Sequence, residues 1–447
     1  MTSTVTLPIW AFVLILLFAA VTFASHFLFP SVRWFFRRRM ERAVKRLNKR
    51  LERPIQPFKL LRRQDMIQRL VYDPEVTRAI VQHAKDTGVR EDVAAEQARR
   101  YAREIVPSFS AWAYFGFAIR AARLLATSLY RVRMVHQDDG LADIDPEATV
   151  VFVMNHRSNM DYVLVTYLAA DRSALSYAVG EWAQVWPLSR LIRAMGAYFI
   201  RRKSRDELYR KVLARYVQQA TEAGVTQAVF PEGGLSLTGE LAAPKVGILK
   251  YILEGAAAGD RDVIFVPIAL NYDRVLEDNI LLKAQAAGNR RFRARISVVM
   301  IAILRQLWLR VTGRFHRFGY AAVSFGKPLA LSSVDAGHRG PEALSELVMQ
   351  RISGAVPVLT VPLVSELLLR HGVMTKTDLA HRFADALKGL DTAQVHLPRN
   401  NREYAVEYGL RILLERKIVE ERGETLQIKP EKEGLARFYA NSISHLL

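Results

Sequence analysis

Residues 149–170 read TVVFVM-NHRSNMD-YVLVTYLAA, and this stretch decides the fold. The first six residues are apolar and mostly β-branched, which predicts a buried strand. The last nine predict a helix over 161–170. Between them, His156 and Asp161 stand five apart. On one continuous helix that spacing turns two side chains about 140° from each other. Across a strand end and a first helical turn they can meet. A carboxylate there fixes the histidine tautomer and leaves the other ring nitrogen free to take a proton. Taken alone, the pair has a second reading, because an Asp also favours any helix N-terminus.

The same texture extends outward. β-Branched runs at 131–136, 149–154, 196–200, 226–230, 263–270 and 321–326 alternate with helix patterns at 161–170, 204–223 and 244–257. This alternation predicts an α/β fold, a mixed sheet flanked by helices. We read the chain as 1–30 a membrane helix, 31–130 a basic and amphipathic helical region, 131–335 an α/β catalytic domain, and 336–447 a mostly helical C-terminal domain. In the last part, helices at 361–372, 375–390 and 402–417 precede a hairpin at 418–430, the order of a winged helix.

Composition narrows the functions. The chain has 447 residues, no cysteine and a formal net charge of +20. Disulfides, thiolate metal sites and cysteine nucleophiles are excluded. The charge implies an anionic partner. Residues 31–70 hold 14 Lys/Arg against 3 Asp/Glu, 14 − 3 = +11, directly after the uncharged run at 9–29. Such a run matches a bilayer core of about 30 Å. Its basic flank predicts a single N-terminal pass in the inner (cytoplasmic) membrane, with everything from Arg33 onward in the cytoplasm. The expected partner is anionic membrane lipid, not nucleic acid. Residues 107–130 and 290–318 read as surface segments that could lie in the membrane interface. A membrane-tethered nucleic-acid-binding protein is the reading from another class. Against it, Asp378, Asp385 and Asp391 in the winged-helix-like end would repel phosphate.

Three more stretches carry chemistry. GAYFIRRK (196–203) ends a strand in Arg201, Arg202 and Lys203, which could hold a phosphate beside a helix N-terminus or simply be a solvated charge cluster. FPEGGLSLTGE (230–240) sets Glu232, Gly233 and Gly234 after a strand, where backbone N–H groups can approach a ligand or merely turn the chain. VIFVPIALNYD (263–273) carries Pro267 inside a strand, which predicts an edge, a bulge or a bend.

Together, NHRSNMDY, GAYFIRR, FPEGGLSLTG with Pro244-Lys245, and FVPIALNY follow the order and spacing of the four blocks of the glycerolipid acyltransferases. The chain most resembles their bacterial and mitochondrial glycerol-3-phosphate acyltransferase branch, and the terminal FYANSISHLL resembles the tail of that branch. The resemblance is strong over 130–330 and looser elsewhere. It implies transfer of a fatty acyl group from acyl-CoA or acyl carrier protein to the sn-1 hydroxyl of glycerol-3-phosphate, with no cofactor and no metal. It implies that His156 is the general base, oriented by Asp161. Arg202 with Arg201 would hold the phosphate, Glu232, Gly233 and Ser236 would shape the acceptor site, and Pro267 would help form the donor side. The family pattern is Glu-Gly-Gly-Arg-Ser-Arg-Thr-Gly; here Leu235 and Leu237 replace both arginines. Lys203 or Lys245 could substitute, or the acceptor could be a lysophospholipid.

Overall fold

The computed structural model describes residues 8–136, 143–168, 173–180, 184–186, 188–201, 204, 206–288, 308 and 318–447, without the side chains of 24–37, 40, 135 and 136. The chain divides into two compact units, residues 1–54 and residues 55–447. The first holds one helix, α1 (Ile9–Asn48).

The second unit is built on strands β1 (Arg131–His136), β2 (Thr149–Met154), β3 (Ser176–Gly180), β4 (Tyr198–Ile200), β5 (Gln227–Val229), β6 (Val263–Tyr272), β7 (Tyr320–Phe325) and the short β8 (Leu329–Ala330). They form one sheet in the order β1-β7-β6-β2-β5-β3-β4, with β8 also on β6. Strands β2 to β6 run parallel to their neighbours in that set, while β7 and β8 run antiparallel to β6. The sheet is mixed, as its alternation predicts. Strands β2 and β6 are buried along their whole length, which fits their continuous apolar runs and their central place in the sheet. Strand β3 falls at a stretch, SYAVG, whose small residues carry no β-branched run.

Helices α2 (Glu91–Ile105), α3 (Met160–Leu168), α4 (Glu207–Glu222) and α5 (Gly247–Ala258) accompany the sheet. Helix α4 starts at Asp206, whose side chain accepts the Tyr209 N–H and so satisfies one orphan donor of the first turn. The C-terminal part follows with α6 (Thr360–His371), β9 (Met374–Thr375), α7 (Lys376–Lys388), α8 (Arg402–Glu415), β10 (Val419–Arg422), β11 (Thr425–Ile428) and α9 (Glu433–Ala440). Strands β10, β11 and β9 make a second, antiparallel sheet. This is the winged-helix order. In its third helix, α8, Ala405, Val406, Tyr408, Leu410, Ile412 and Leu413 are buried, while Glu403, Glu407 and Arg411 are exposed.

Two expectations change. Among the described residues, no helix is long and apolar enough to cross a membrane. The transmembrane reading of residues 1–30 is therefore not supported. The segment read as 290–318 lies outside the described residues except for Trp308 and Phe318.

Candidate active site

The chain leaves β2 at Met154 and enters α3 at Met160, and the five residues between are pinned from several sides. Asn155 exchanges two bonds with the Leu270 backbone of β6, Nδ2 to O at 3.0 Å and N to Oδ1 at 2.8 Å. The His156 N–H donates to Glu232 at 2.8 Å. With the backbone locked, the change from strand to helix brings His156 Nδ1 to 2.9 Å from Asp161 Oδ2. The same oxygen accepts the N–H groups of Arg157 (2.7 Å) and Ser158 (3.0 Å). The other, Oδ1, accepts the Tyr272 hydroxyl at 2.5 Å. Burial and the Asp161 charge push the Tyr272 phenol well above its ordinary range, so Tyr272 stays a donor.

Both members of the pair are shut from bulk water, His156 at 2% exposure and Asp161 at 0%. The His156 ring lies 4.2 Å from the Phe230 ring and edge-on to Tyr162. With Nδ1 committed to a carboxylate, Nε2 is the nitrogen that can exchange a proton. The arrangement is a held, oriented base at the carboxyl edge of a sheet, where α/β proteins open their sites.

The loop after β5 packs beside it. Glu232 is buried; its Oε1 takes the His156 N–H and its Oε2 takes the Ala242 N–H at 3.0 Å. Burial raises its carboxyl against the lowering effect of those two bonds. Gly233 sits at φ 66°, a conformation that favours glycine, and a Cβ there would push the Lys245 side chain, 2.7 Å away, aside. Gly234 is half-buried in the same turn. The Ser236 N–H donates to the His156 carbonyl at 2.9 Å, while its Oγ donates to Glu240 O at 2.7 Å and accepts the Gly239 N–H. Glu232 and Ser236 thus hold the two loops together. Leu235 and Leu237 pack on the apolar core.

Arg201 follows β4, three strands from β2, about 14 Å at 4.8 Å per strand spacing. Its guanidinium forks onto Glu104 of α2 at 2.9 and 2.6 Å and lies 5.2 and 5.3 Å from the ring centres of Tyr101 and Tyr209. The carboxylate holds Arg201 well above its usual range. Arg202 and Lys203 lie outside the described residues. Pro267 is buried mid-strand in β6, opposite Val153. It sits where β8 pairing at Phe265 gives way to β7 pairing at Ile268, and its carbonyl accepts the Gly326 N–H at 2.9 Å. A missing N–H is tolerated at such a junction.

Two family models match the chain: Acyltransferase over residues 134–271, and Glycerol-3-phosphate acyltransferase C-terminal region over residues 307–447. The chain belongs to the glycerol-3-phosphate acyltransferase family. Similar proteins include the glycerol-3-phosphate acyltransferase of Pasteurella multocida, 26% identical over 87% of this chain and 50% of that one. The protein of the same name from Xanthomonas campestris is 30% identical over 67% of this chain and 33% of its own. The chain spans about half the length of most curated relatives it matches. Among solved structures, the 1-acyl-sn-glycerophosphate acyltransferase PlsC of Thermotoga maritima aligns over 54% of this chain and 76% of its own, at 17% identity and a TM-score of 0.33.

Three residues of this site carry no sequence signal of their role. Tyr272 closes the quoted FVPIALNY block, yet only the parallel pairing of β6 with β2 brings its hydroxyl to Asp161, 111 positions away. Glu277 accepts bonds from Ser158 and Asn159, and Glu104 holds Arg201. Each acts across about 100 residues or more, beyond any local periodicity.

Proposed function

We propose that the chain acylates the sn-1 hydroxyl of glycerol-3-phosphate, giving lysophosphatidate, with an acyl-CoA or acyl carrier protein thioester as donor. The buried His156–Asp161 pair, with Nδ1 committed and Nε2 left to exchange a proton, carries the reading. A glycerol hydroxyl is a poor nucleophile at neutral pH and needs a base as it attacks. His156 Nε2 takes its proton; the alcohol oxygen bonds to the acyl carbon, the C–S bond breaks, and the proton passes to the departing thiolate. Asp161 stabilises the imidazolium formed on the way. A positioned base of this kind contributes about 10²–10⁴ in rate. The chain has no cysteine and no Gly-x-Ser-x-Gly elbow, which favours direct transfer over an acyl-enzyme. No step is routed through a metal or cofactor.

Phosphate recognition falls to Arg202 with Lys203 and Arg201, at the end of β4. Lys245, whose side chain lies against Gly233, is the cation we assign to the acceptor side. Pro267, deep in the sheet, acts on the donor side only through its place in β6. Anionic membrane lipid is the proposed surface partner, on the cytoplasmic face of the inner membrane. The exposed apolar side chains of α1 from Ile9 to Phe23, followed by Arg38, Arg39 and Arg42, support that address. Nucleic acid is not proposed, since the exposed face of α8, the helix that would enter a groove, carries Glu403 and Glu407, which would repel phosphate.

The test offers palmitoyl-CoA with glycerol-3-phosphate or with lysophosphatidate, separately and in competition, to the purified chain in anionic vesicles. Acylation of glycerol-3-phosphate supports the reading. Turnover of the lysophospholipid alone would mean that Leu235 and Leu237 had set the acceptor.

A further inference from the structure

The six residues after β6 are bound on both sides. Toward the catalytic turn, Glu277 Oε2 accepts the Ser158 hydroxyl at 2.8 Å, and Oε1 accepts the Asn159 N–H at 3.1 Å and its Nδ2 at 3.0 Å. Ser158 Oγ in turn accepts the Met160 N–H at 3.1 Å. The same short turn supplies the Arg157 and Ser158 N–H groups that hold Asp161. Glu277 therefore grips one side of the turn whose other side aims Asp161 at His156.

Toward the C-terminal part, Asp278 is buried and accepts Arg416 Nη2 at 2.5 Å and the Tyr439 hydroxyl. That hydroxyl also accepts Arg416 Nη1 at 2.8 Å and the Val275 N–H at 3.1 Å. Arg416 caps α8, and Tyr439 belongs to α9. Two further bonds fix the strand end itself: Asn271 Nδ2 to the Pro357 carbonyl at 2.9 Å, and the Val361 N–H to Asp273 at 3.0 Å. A buried carboxylate such as Asp278 is tolerable only with its cation and donors in place. Its neighbour Glu277 is thereby held in register.

We propose that Glu277 is a positioning residue for the His156 turn, and that the C-terminal part sets it through Asp278, Arg416 and Tyr439; the role rests on the acyl-transfer reading of this site. The C-terminal region is on this account a piece of the active-site scaffold. Displacing Glu277 tilts the 157–159 turn and turns Asp161 off His156. Errors of about 1 Å in such geometry cost up to about 100-fold in rate.

The test uses the full chain in anionic vesicles, first as wild type, with glycerol-3-phosphate and palmitoyl-CoA. A silent wild type would count against acyl transfer itself, separately from this role. With an active wild type, Glu277→Gln keeps the shape but loses acceptor capacity. It should lower kcat about 10- to 100-fold, with KM for glycerol-3-phosphate within about twofold. Tyr439→Phe, and Arg416→Gln should the first not fold, should lower kcat in the same manner. Combined with Glu277→Gln, either should add less than about twofold beyond the larger single effect. An unchanged kcat in Glu277→Gln, or a rise in KM alone, overturns the positioning role. Fully multiplicative effects in the double variant overturn the link to the C-terminal part.

Discussion

The middle and one end of the sheet's carboxyl edge hold their charged groups in opposite ways. Beside β2, His156 and Asp161 are sealed, and both Asp161 oxygens are saturated by four donors. Beside β4, the Arg201 side chain keeps 39% of its surface exposed and is held by one fork onto Glu104. The first corner is rigid before any ligand arrives, which is what oriented proton transfer requires. The second is a partly wet cation whose neighbours Arg202 and Lys203 extend the charge, which suits a diffusing anion. On the proposed reading, chemistry and capture are divided along one edge about three strands long.

The sharpest way to break this contrast is at Asp161. Asp161→Asn should lower kcat by about 10³–10⁴ while the protein still melts cooperatively, because the histidine loses its orientation. A fall below tenfold in initial-rate assays would reduce the sealed corner to packing. Arg202→Ala tests the other corner. It should raise KM for glycerol-3-phosphate by tenfold or more, about the cost of one charge-assisted contact, and leave KM for the acyl donor nearly unchanged. An equal rise in both would remove its phosphate role. Tyr272→Phe deletes one of the four donors to Asp161 and should cost about tenfold in kcat. No loss would show that the carboxylate is held well enough by backbone alone.

The smallest expected effect is on stability. Burial pushes the Asp273 carboxyl up to about 6, from an ordinary 3.8. Between those values the folded state binds a proton that the unfolded state does not. The stability this gives is fully present below about pH 4 and lost as pH rises through 6. Relative to Asp273→Asn, the wild-type melting temperature should therefore climb by about 2 °C as the buffer moves from pH 7 to 5. A flat difference would place the carboxyl's titration elsewhere.

What was legible in the sequence was local. The runs at 149–154 and 263–270 announce central strands because every residue in them is buried. His156 and Asp161 could be paired because they are five residues apart across a change of backbone. Strand β3 was missed, since SYAVG has neither a β-branched run nor alternation. Tyr272, Glu277 and Glu104 were invisible for another reason: sheet order and helix packing bring them in, and periodicity does not encode either. The apolar run at 9–29 was legible as helix. In the structure it belongs to one unbroken helix that continues to Asn48.

The most direct measurement is the rate of acyl transfer from palmitoyl-CoA to glycerol-3-phosphate, wild type against His156→Ala, at saturating substrate. A loss of about 10²–10⁴ in kcat, with both KM values nearly unchanged, is the predicted result. A variant that keeps its rate to within about threefold would contradict the account, for a base worth so little is not the group that activates the hydroxyl.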